Sequence, residues 1–168
     1  MTKPTPTDLD HRAADLIKAA HEHNLTLATA ESCTAGALAH LLANAPGASD
    51  SFHGGFVVYT KENKSKALGV PAALIEKHTA VSAEVAKAMA LGALERCPAE
   101  VVVSITGVAG PDPDEDGNPV GLVYLAVARR GGQLMNEEHR FGYRSKSQIC
   151  NAAQKHAIEL LEKAMRQK

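Results

Sequence analysis

The chain is poor in the features that mark several large classes of protein. It has no tryptophan, and aromatic residues make up only 4% of its 168 residues. Its 18 lysines and arginines almost balance 19 aspartates and glutamates, so the formal net charge is -1. Nucleic acid binding usually needs basic patches and stacking aromatic rings, and anionic membranes are collected by a strong positive field. The composition therefore predicts neither partner and favours a small or locally recognised ligand.

Cysteines and long apolar runs are also scarce. Cys33, Cys97 and Cys150 are an odd number and have no CxxC spacing, which is typical of a reducing compartment rather than of a disulfide framework. No apolar run approaches the roughly 20 residues of a membrane-spanning helix. Residues 1–7 (MTKPTPT) lack the apolar segment of a signal peptide. We therefore expect a cytoplasmic protein without disulfides and without a membrane partner.

The order of periodic segments predicts one α/β domain. Residues 1–7 are expected to form a flexible arm, and residues 8–168 the domain. Helical spacing predicts helices over 8–23, 33–43, 82–96 and 144–167, and a turn or two of helix within 61–69. Apolar runs and alternation predict strands over 25–30, 56–60, 101–105, 120–128 and 133–141, the last two as a hairpin. This order is typical of a three-layer α/β/α sandwich on a mixed β-sheet.

Three predicted strand ends carry residues suited to chemistry. They are Glu31-Ser32, Tyr59-Thr60 and the segment Thr106–Gly110 (TGVAG). Ligands of α/β sheets bind beyond the carboxyl ends of the strands. We therefore expect the chemistry to lie where these three junctions meet.

Ser32 is the candidate nucleophile at the first junction. The N–H groups of a helix that begins there would suit a developing oxyanion, but the same position suits a helix N-cap. Position alone leaves these two roles evenly balanced. Cys33 is the rival nucleophile, although free cysteines are more often small buried apolar residues. The GxSxG and SxxK layouts of familiar serine hydrolases are absent.

A base for Ser32 has to come from elsewhere in the chain. The second junction offers Tyr59 with Lys61, Lys64 and Lys66, and a lysine desolvated beside a tyrosine can lose enough pKa to act as a base. A lysine-rich turn by itself is usually solvated surface. The residues alone do not separate the three lysines.

Weaker patterns indicate how a ligand would be held. The glycines of Thr106–Gly110 would let backbone N–H groups approach a substrate, although the segment matches neither GxGxxG nor a Walker A loop and a tight turn is the simpler interpretation. Arg144 stands at the predicted start of the last helix. A cation is unfavourable there for the helix dipole, which indicates an anionic partner such as a phosphate. The acidic segment Pro111–Pro119 is predicted to be a solvated loop. No histidine or cysteine cluster has metal-ligand spacing, so neither a metal nor a cofactor is expected.

Four segments, in this order, resemble the CinA C-terminal family, the nicotinamide-nucleotide amidases. They are Ala30–Thr34 (AESCT), Gly54–Tyr59 (GGFVVY) leading to Lys64, Ala80–Ser82 (AVS) and Thr106–Pro111 (TGVAGP). The similarity extends over nearly the whole chain. The resemblance implies hydrolysis of the carboxamide of nicotinamide mononucleotide to nicotinate mononucleotide and ammonia, without a metal, with this pyridine nucleotide as the small-molecule partner.

The resemblance also implies roles for individual residues. The family's catalytic serine falls on Ser32, and its tyrosine and lysine fall on Tyr59 and Lys64, which selects one lysine from the three. Its glycine-rich loop implies substrate-binding roles for Thr106, Gly107, Ala109 and Gly110, and its Gly-x-Arg element implies one for Arg144. Cys33 and Thr34, which follow the serine in the matching segment, are also expected to bind substrate. Ala35 departs from the pattern, since the family often has a second glycine there. Many relatives carry a larger N-terminal domain, and no activity that depends on it is expected here.

Two alternatives to this activity stay open. One is a nucleotide-binding regulatory module of the competence or damage-inducible type, with the same cleft but no turnover. The other is a related amidase that acts on another pyridine or nucleotide amide. Ammonia release over a panel of pyridine nucleotides separates them.

Base rates favour a homodimer, and the alanine-rich helix over 82–96 suits either a partner subunit or the interior.

Overall fold

A five-stranded sheet lies between two layers of helices in the computed structural model, which describes residues 5–166. The helices are α1 Asp8–Glu22, α2 Ala37–Ala43, α3 Ala48–Ser51, α4 Lys61–Leu68, α5 Ala72–His78, α6 Ala83–Arg96 and α7 Lys146–Arg166. The strands are β1 Leu27–Glu31, β2 Phe52–Val57, β3 Val101–Gly107, β4 Leu122–Arg129 and β5 Leu134–Arg140. The order across the sheet is β2-β1-β3-β4-β5. Parallel pairing joins β2, β1 and β3, whereas β4 and β5 pair antiparallel. The predicted three-layer fold on a mixed sheet is confirmed.

Both faces of the sheet are covered, which explains why β3 is apolar on both sides. Val101 and Val103 pack into a core shared with α1, α2 and α7. Val102 packs into a second core formed with α4, α5 and α6. Neighbouring residues of a strand point to opposite faces, so a strand covered on both sides needs a continuous apolar run rather than an alternating one.

The helix after β1 begins later than predicted. The predicted start at Cys33 is wrong, because residues 32–36 form a turn and α2 begins at Ala37. Ala35 and Gly36 have φ angles of 51° and 92°, which no right-handed helix contains. Ser32 is therefore not a helix N-cap, and that alternative is overturned.

The second strand is displaced toward the N-terminus relative to its prediction. A strand over 56–60 is predicted, but β2 begins at Phe52, so Gly54 and Gly55 lie inside it. A Cβ on Gly55 would collide with the hydroxyl of Thr29 on β1 and would crowd the Cβ of Ala39 on α2. Glycine is thus required here because α2 and β1 approach the strand closely, and not because the chain turns.

The remaining elements follow the prediction with smaller differences. The hairpin of β4 and β5 and the helix α6 with its Ser82 cap are confirmed, since the Ser82 hydroxyl accepts the N–H of Val85. The short helices α3 and α5 were not predicted. The last helix begins at Lys146 rather than Arg144, and its predicted end at Gln167 lies outside the described residues, as do residues 1–4 of the predicted arm. Within residues 5–166, no helix is long and apolar enough to cross a membrane.

Candidate active site

A cleft of about 510 Å³ opens at the carboxyl ends of β1, β2 and β3. Because these strands are parallel neighbours, their ends lie at the same edge of the sheet. This volume falls within the roughly 300–1,000 Å³ typical of small-molecule sites. The three junctions predicted from the sequence do meet here. The lining includes Ser32, Cys33, Tyr59, Lys61, Lys64, Ala80, Val81, Thr106, Gly107, Val108, Ala109, Gly110, Asp112, Asp114, Glu115 and Asp116.

Ser32 and Lys64 form a hydrogen-bonded pair in this cleft. The Lys64 Nζ lies 2.9 Å from the Ser32 Oγ, although the two residues are 32 positions apart in the chain. Both side chains are buried, with 7% of Ser32 and 2% of Lys64 exposed. Such contact is the geometric requirement for a nucleophile and its base. Lys64 lies in α4, whose first turn is capped by the Thr60 hydroxyl on the N–H of Asn63, 3.0 Å away.

The surroundings of Lys64 favour its neutral amine form. Burial, with the nearby charge of Lys61, lowers the pKa of Lys64 to about 8. The Nζ also lies 3.0 Å from the carbonyl oxygen of Val58 and 3.4 Å from that of Tyr59. A neutral amine has two N–H bonds and one lone pair. Donation to the two carbonyls therefore leaves the lone pair for the Ser32 hydroxyl, as general base catalysis requires.

Lys61 differs from Lys64 although it is three residues earlier in the same helix. Its Nζ forms ion pairs with Glu115 at 2.7 Å and with Asp116 at 2.8 Å. The hydrogen bonds to Asp116 and Glu115 raise the pKa of Lys61 above its usual range. One lysine is thus held protonated on the cleft wall while the other is driven toward its neutral form, and opposed shifts of this kind separate the roles of two similar groups.

The acidic segment that contains these partners is a mostly exposed loop, as the sequence predicted, and it also forms part of the cleft. Asp112, Asp114, Glu115 and Asp116 line the cleft. Asp114 shapes the loop by accepting the N–H groups of Asp116 and Asn118 at 3.0 and 2.8 Å. The contact of this loop with the cleft was not predicted, because Lys61 and Asp116 lie 55 positions apart, and a sequence pattern carries no sign of such a contact.

Tyr59 enters the site in a different way from the one expected. Its backbone carbonyl contacts Lys64, but its side chain is 60% exposed at the cleft, and its hydroxyl makes no hydrogen bond to any described residue. The ring is therefore available to a ligand rather than engaged with the Ser32–Lys64 pair.

Cys33 is a poor rival to Ser32. Burial, together with the nearby Cys150 thiol, raises the pKa of Cys33 to about 12. The thiolate is the nucleophilic form of cysteine, and at neutral pH this site holds almost none of it. Burial of the Cys33 thiol therefore favours Ser32 over Cys33 as the nucleophile.

Glu31 is a buried residue next to Ser32 that the sequence interpretation did not single out. It is fully buried, and its carboxylate accepts the hydroxyl of Thr34 and the N–H groups of Gly36, Leu38 and Ala39 at distances of 2.6 to 3.1 Å. Thr34 accordingly lies behind the turn and is not among the cleft-lining residues. The available signal was a carboxylate at the end of an otherwise apolar strand, since a buried charge needs partners.

Fewer backbone N–H groups are therefore available to form an oxyanion hole than the sequence predicted. Glu31 accepts the N–H groups of Gly36, Leu38 and Ala39 at the start of α2. The Ala37 N–H donates to the Thr34 carbonyl at 3.0 Å, and the Ser32 N–H donates to the Ile105 carbonyl at 2.9 Å. In the part of the chain that the structure describes, the N–H groups of Cys33 and Thr34 donate to no protein acceptor. Cys33 lines the cleft and directly follows Ser32, so its N–H is the unoccupied donor nearest in sequence to the Ser32 hydroxyl.

The glycine-rich loop forms the opposite wall. The Thr106 hydroxyl donates to the Ala80 carbonyl at 2.7 Å, which ties the end of β3 to the segment before α6. Val108 pairs with β4 through its N–H. Among residues 5–166, the N–H groups of Ala109 and Gly110 find no protein acceptor, and both residues line the cleft. They are free donors for oxygen atoms of a ligand.

Arg144 is not brought into the cleft of Ser32. It is exposed in the segment before α7 and lines a neighbouring cavity of about 400 Å³ together with Pro111, Tyr143, Ser145, Lys146 and Gln148. The two cavities adjoin in sequence, because Gly110 lines the first and Pro111 the second. Within the described residues, no group of three or more histidine, cysteine or acidic side chains is arranged to hold a metal ion.

Comparison with known proteins gives consistent matches. The family model described as CinA C-terminal domain matches residues 9–165. A putative competence-damage inducible protein of Caldicellulosiruptor bescii is 40% identical over 142 residues, which are 84% of this chain and 34% of that protein. A CinA-like protein of Citrifermentans bemidjiense is 48% identical over 124 residues, which are 74% of this chain and 29% of that protein. The chain thus spans about a third of the length of these curated relatives.

Solved structures match over the whole chain. The competence/damage inducible protein CihA from Agrobacterium tumefaciens has a TM-score of 0.92 at 37% identity, over 99% of this chain and 100% of that chain. A competence-damaged protein (CinA) superfamily protein from Escherichia coli has a TM-score of 0.87 at 34% identity, over 96% of this chain and 94% of that chain. The resemblance drawn from four sequence segments is confirmed.

Proposed function

We propose that this chain, which belongs to the CinA C-terminal domain family, is an amidohydrolase that converts nicotinamide mononucleotide to nicotinate mononucleotide and ammonia. The observation that carries the proposal is the 2.9 Å contact between the Lys64 Nζ and the Ser32 Oγ. A serine becomes a useful nucleophile when a base takes its proton, and a lysine serves as that base when burial lowers its pKa. The pKa of Lys64, about 8, meets this condition.

The reaction would proceed through an acyl-enzyme. Neutral Lys64 takes the hydroxyl proton as the Ser32 oxygen attacks the carboxamide carbon, and the resulting ammonium returns a proton to the departing nitrogen. The C–N bond breaks, ammonia leaves, and the acyl group stays on Ser32. Water, activated by the same lysine, then hydrolyses the ester and restores the serine.

The oxyanion of each tetrahedral intermediate would be held by backbone donors. The Cys33 N–H is the candidate on the side of the nucleophile, because it has no acceptor among the described residues and the residue lines the cleft. A well-placed donor of this kind typically contributes roughly 3 kcal/mol to transition-state stabilisation. The Thr106-Gly107 end of β3 lies across the cleft and completes the set that we expect to surround the carbonyl oxygen.

The charges of the cleft support a pyridine nucleotide as substrate. The nitrogen of the pyridine ring is bonded to ribose in nicotinamide mononucleotide and carries a positive charge. The acidic wall of Asp112, Asp114, Glu115 and Asp116 favours such a cation, and the exposed ring of Tyr59 offers it an aromatic face. The phosphate would be bound by the free N–H groups of Ala109 and Gly110 or by Arg144 in the neighbouring cavity.

An ammonia-release assay over a small panel tests the proposal. Nicotinamide mononucleotide should release ammonia, whereas benzamide riboside 5′-phosphate, which has the same carboxamide and phosphate but a neutral ring, should be a much poorer substrate. Activity should be lost in Ser32→Ala and retained in Cys33→Ala. The reverse pattern would transfer the nucleophile to Cys33. Saturable binding of the nucleotide without ammonia would identify a regulatory module instead, and ammonia from another amide would identify a different amidase.

A further inference from the structure

The carboxylate of Glu31 has an unusual concentration of donors for a residue next to a nucleophile. Five hydrogen bonds reach its two oxygens, and the residue is fully buried. No lysine or arginine ion pair with Glu31 occurs among residues 5–166. The donors are the hydroxyls of Thr29 and Thr34 and the N–H groups of Gly36, Leu38 and Ala39.

These bonds hold the turn that carries Ser32. Thr34 is bonded at 2.6 Å and Gly36 at 3.1 Å, so the carboxylate pulls both residues toward the end of β1. Both anchors belong to the turn of residues 32–36, and between them lies Ala35 in the left-handed region, at φ 51°. A conformation of that kind costs free energy and persists when surrounding contacts impose it. The Glu31 carboxylate supplies those contacts.

Glu31 also connects the nucleophile to its base through the backbone. Its carbonyl oxygen accepts the N–H of Val58 at 2.8 Å, and the carbonyl of Val58 accepts the Lys64 Nζ at 3.0 Å. Glu31 therefore contacts Val58, the residue whose carbonyl binds the lysine, and, through its side chain, the turn that presents the serine. Buried hydrogen-bonded networks of this kind rigidify what they join.

We infer that Glu31 is a positioning residue of the active site: its buried carboxylate holds the turn of residues 32–36 so that the Ser32 hydroxyl meets Lys64 and the Cys33 N–H stays free for the oxyanion. This inference rests on the proposed function, which supplies the substrate. Glu31 occupies the N–H groups at the start of α2, which removes them as substrate ligands. It touches neither the substrate nor the reacting atoms and moves no proton.

Two substitutions test the inference. Glu31→Gln replaces one acceptor oxygen with an NH₂ group that faces N–H donors, so the turn must shift. Thr34→Val removes the 2.6 Å bond but leaves the carboxylate in place, and Thr34→Ser restores it. Ser104→Ala is the matched control, because it deletes a buried hydroxyl bonded to the Ala86 carbonyl at 2.6 Å, outside the cleft lining. Circular dichroism and thermal melts establish that each variant is folded.

A displaced nucleophile should lower kcat with little change in KM. We expect kcat for ammonia release to fall about 100-fold in Glu31→Gln and by roughly 10-fold in Thr34→Val, since misplacement of a reacting group by about 1 Å costs on this order. Thr34→Ser should recover most of the loss, and Ser104→Ala should keep kcat. The pH midpoint set by Lys64 should stay unchanged. Labelling of Ser32 by a fluorophosphonate should slow in parallel with kcat.

The two proposals can fail separately. If the wild-type chain releases no ammonia from nicotinamide mononucleotide, the proposed function fails, while the fluorophosphonate rates still measure how Glu31 acts on Ser32. Suppose that Thr34→Val is folded and less stable than the wild type but keeps the wild-type kcat and labelling rate. Glu31 then only stabilises the fold, and the inference is overturned. A shifted pH midpoint in Glu31→Gln would equally overturn it, because that carboxylate would then act on the proton transfer itself.

Discussion

The side-chain nitrogen of Lys64 lies 2.9 Å from the hydroxyl oxygen of Ser32, within a cleft where both side chains are almost inaccessible to water. Two backbone carbonyls bind the other side of the nitrogen. In the proposed mechanism, the protonation state of this one lysine controls the reactivity of the serine.

The activity should depend on the proton of Lys64. Because the base is the neutral amine and the pKa of Lys64 is about 8, kcat/KM for ammonia release should rise with pH and level off above a midpoint near 8. Below the midpoint, the rate should fall about tenfold for each pH unit. Initial rates between pH 6 and 10 measure this. A profile that is flat from pH 6 to 9 would exclude Lys64 as the base.

Lys61 and Lys64 should respond differently to the same substitution. Lys64→Ala removes the base and should lower kcat by about 10²- to 10⁴-fold. Lys61→Ala removes only the ion pairs to Glu115 and Asp116, and should retain most of the activity. Since the charge of Lys61 helps to lower the pKa of Lys64, its loss should move the midpoint of the pH profile to higher pH. Equal losses of kcat in the two variants would contradict the assignment of the base.

Arg144 can be tested as a phosphate ligand by comparing two substrates. If it binds the phosphate, Arg144→Ala should raise KM for nicotinamide mononucleotide by about 10- to 100-fold, the usual scale of a charge-assisted hydrogen bond. Nicotinamide riboside lacks the phosphate, so its kcat/KM should be the same in the wild type and the variant. An equal effect on both substrates would show that Arg144 acts on the fold or on another part of the ligand.

Ala35 should be a site of removable strain. Its φ of 51° lies in the left-handed region, which costs an alanine about 1–2 kcal/mol and costs glycine little. Ala35→Gly should therefore increase the free energy of unfolding, by roughly 0.5–1 kcal/mol after the greater chain entropy of glycine is subtracted. Urea denaturation measures the change. Ala88→Gly, within helix α6, should destabilise the protein, and a loss of stability in both variants would argue against strain at residue 35.

The buried lysine should lower stability at neutral pH. Between pH 8 and 10.5 the unfolded chain binds a proton at Lys64 that the folded chain does not, so stability contributed by this site rises with pH through that window. Lys64→Met should be more stable than the wild type at pH 7 by an amount on the order of 3 kcal/mol, less the cost of leaving two carbonyls unpaired. The difference should shrink as the pH rises to 10. A difference that is independent of pH would contradict the lowered pKa.

Several elements followed directly from the sequence. The apolar run over 101–105 predicted a strand covered on both faces, and β3 is such a strand. The three junctions were expected to share one edge because parallel strands end on the same side, and Ser32, Lys64 and Gly110 line one cleft. These predictions succeeded because they depend on local hydrophobic pattern and on the general geometry of parallel sheets.

Other features could not be predicted because they depend on contacts between distant residues. The start of α2 was placed at Cys33, but bonds from Glu31 to Gly36 and Leu38 hold the preceding residues in a turn. The acidic loop is exposed as expected, but its ion pairs with the distant Lys61, which make it part of the cleft wall, were not predicted. Local helix and turn propensities describe neighbouring residues only, so they cannot predict the Glu31 hydrogen bonds or the Lys61 ion pairs.

The sequence by itself determined the fold class, the family and the strand ends near which Ser32 and Tyr59 would be found, since each follows from a local pattern, while the family resemblance selected Lys64. Tertiary structure decided what these residues do to one another. Burial lowers the pKa of Lys64, and two backbone carbonyls leave its lone pair for Ser32. The same packing exposes the Tyr59 ring and commits the first N–H groups of α2 to Glu31. Desolvation and hydrogen-bond direction arise only when distant segments are packed together, because neither exists in the isolated chain.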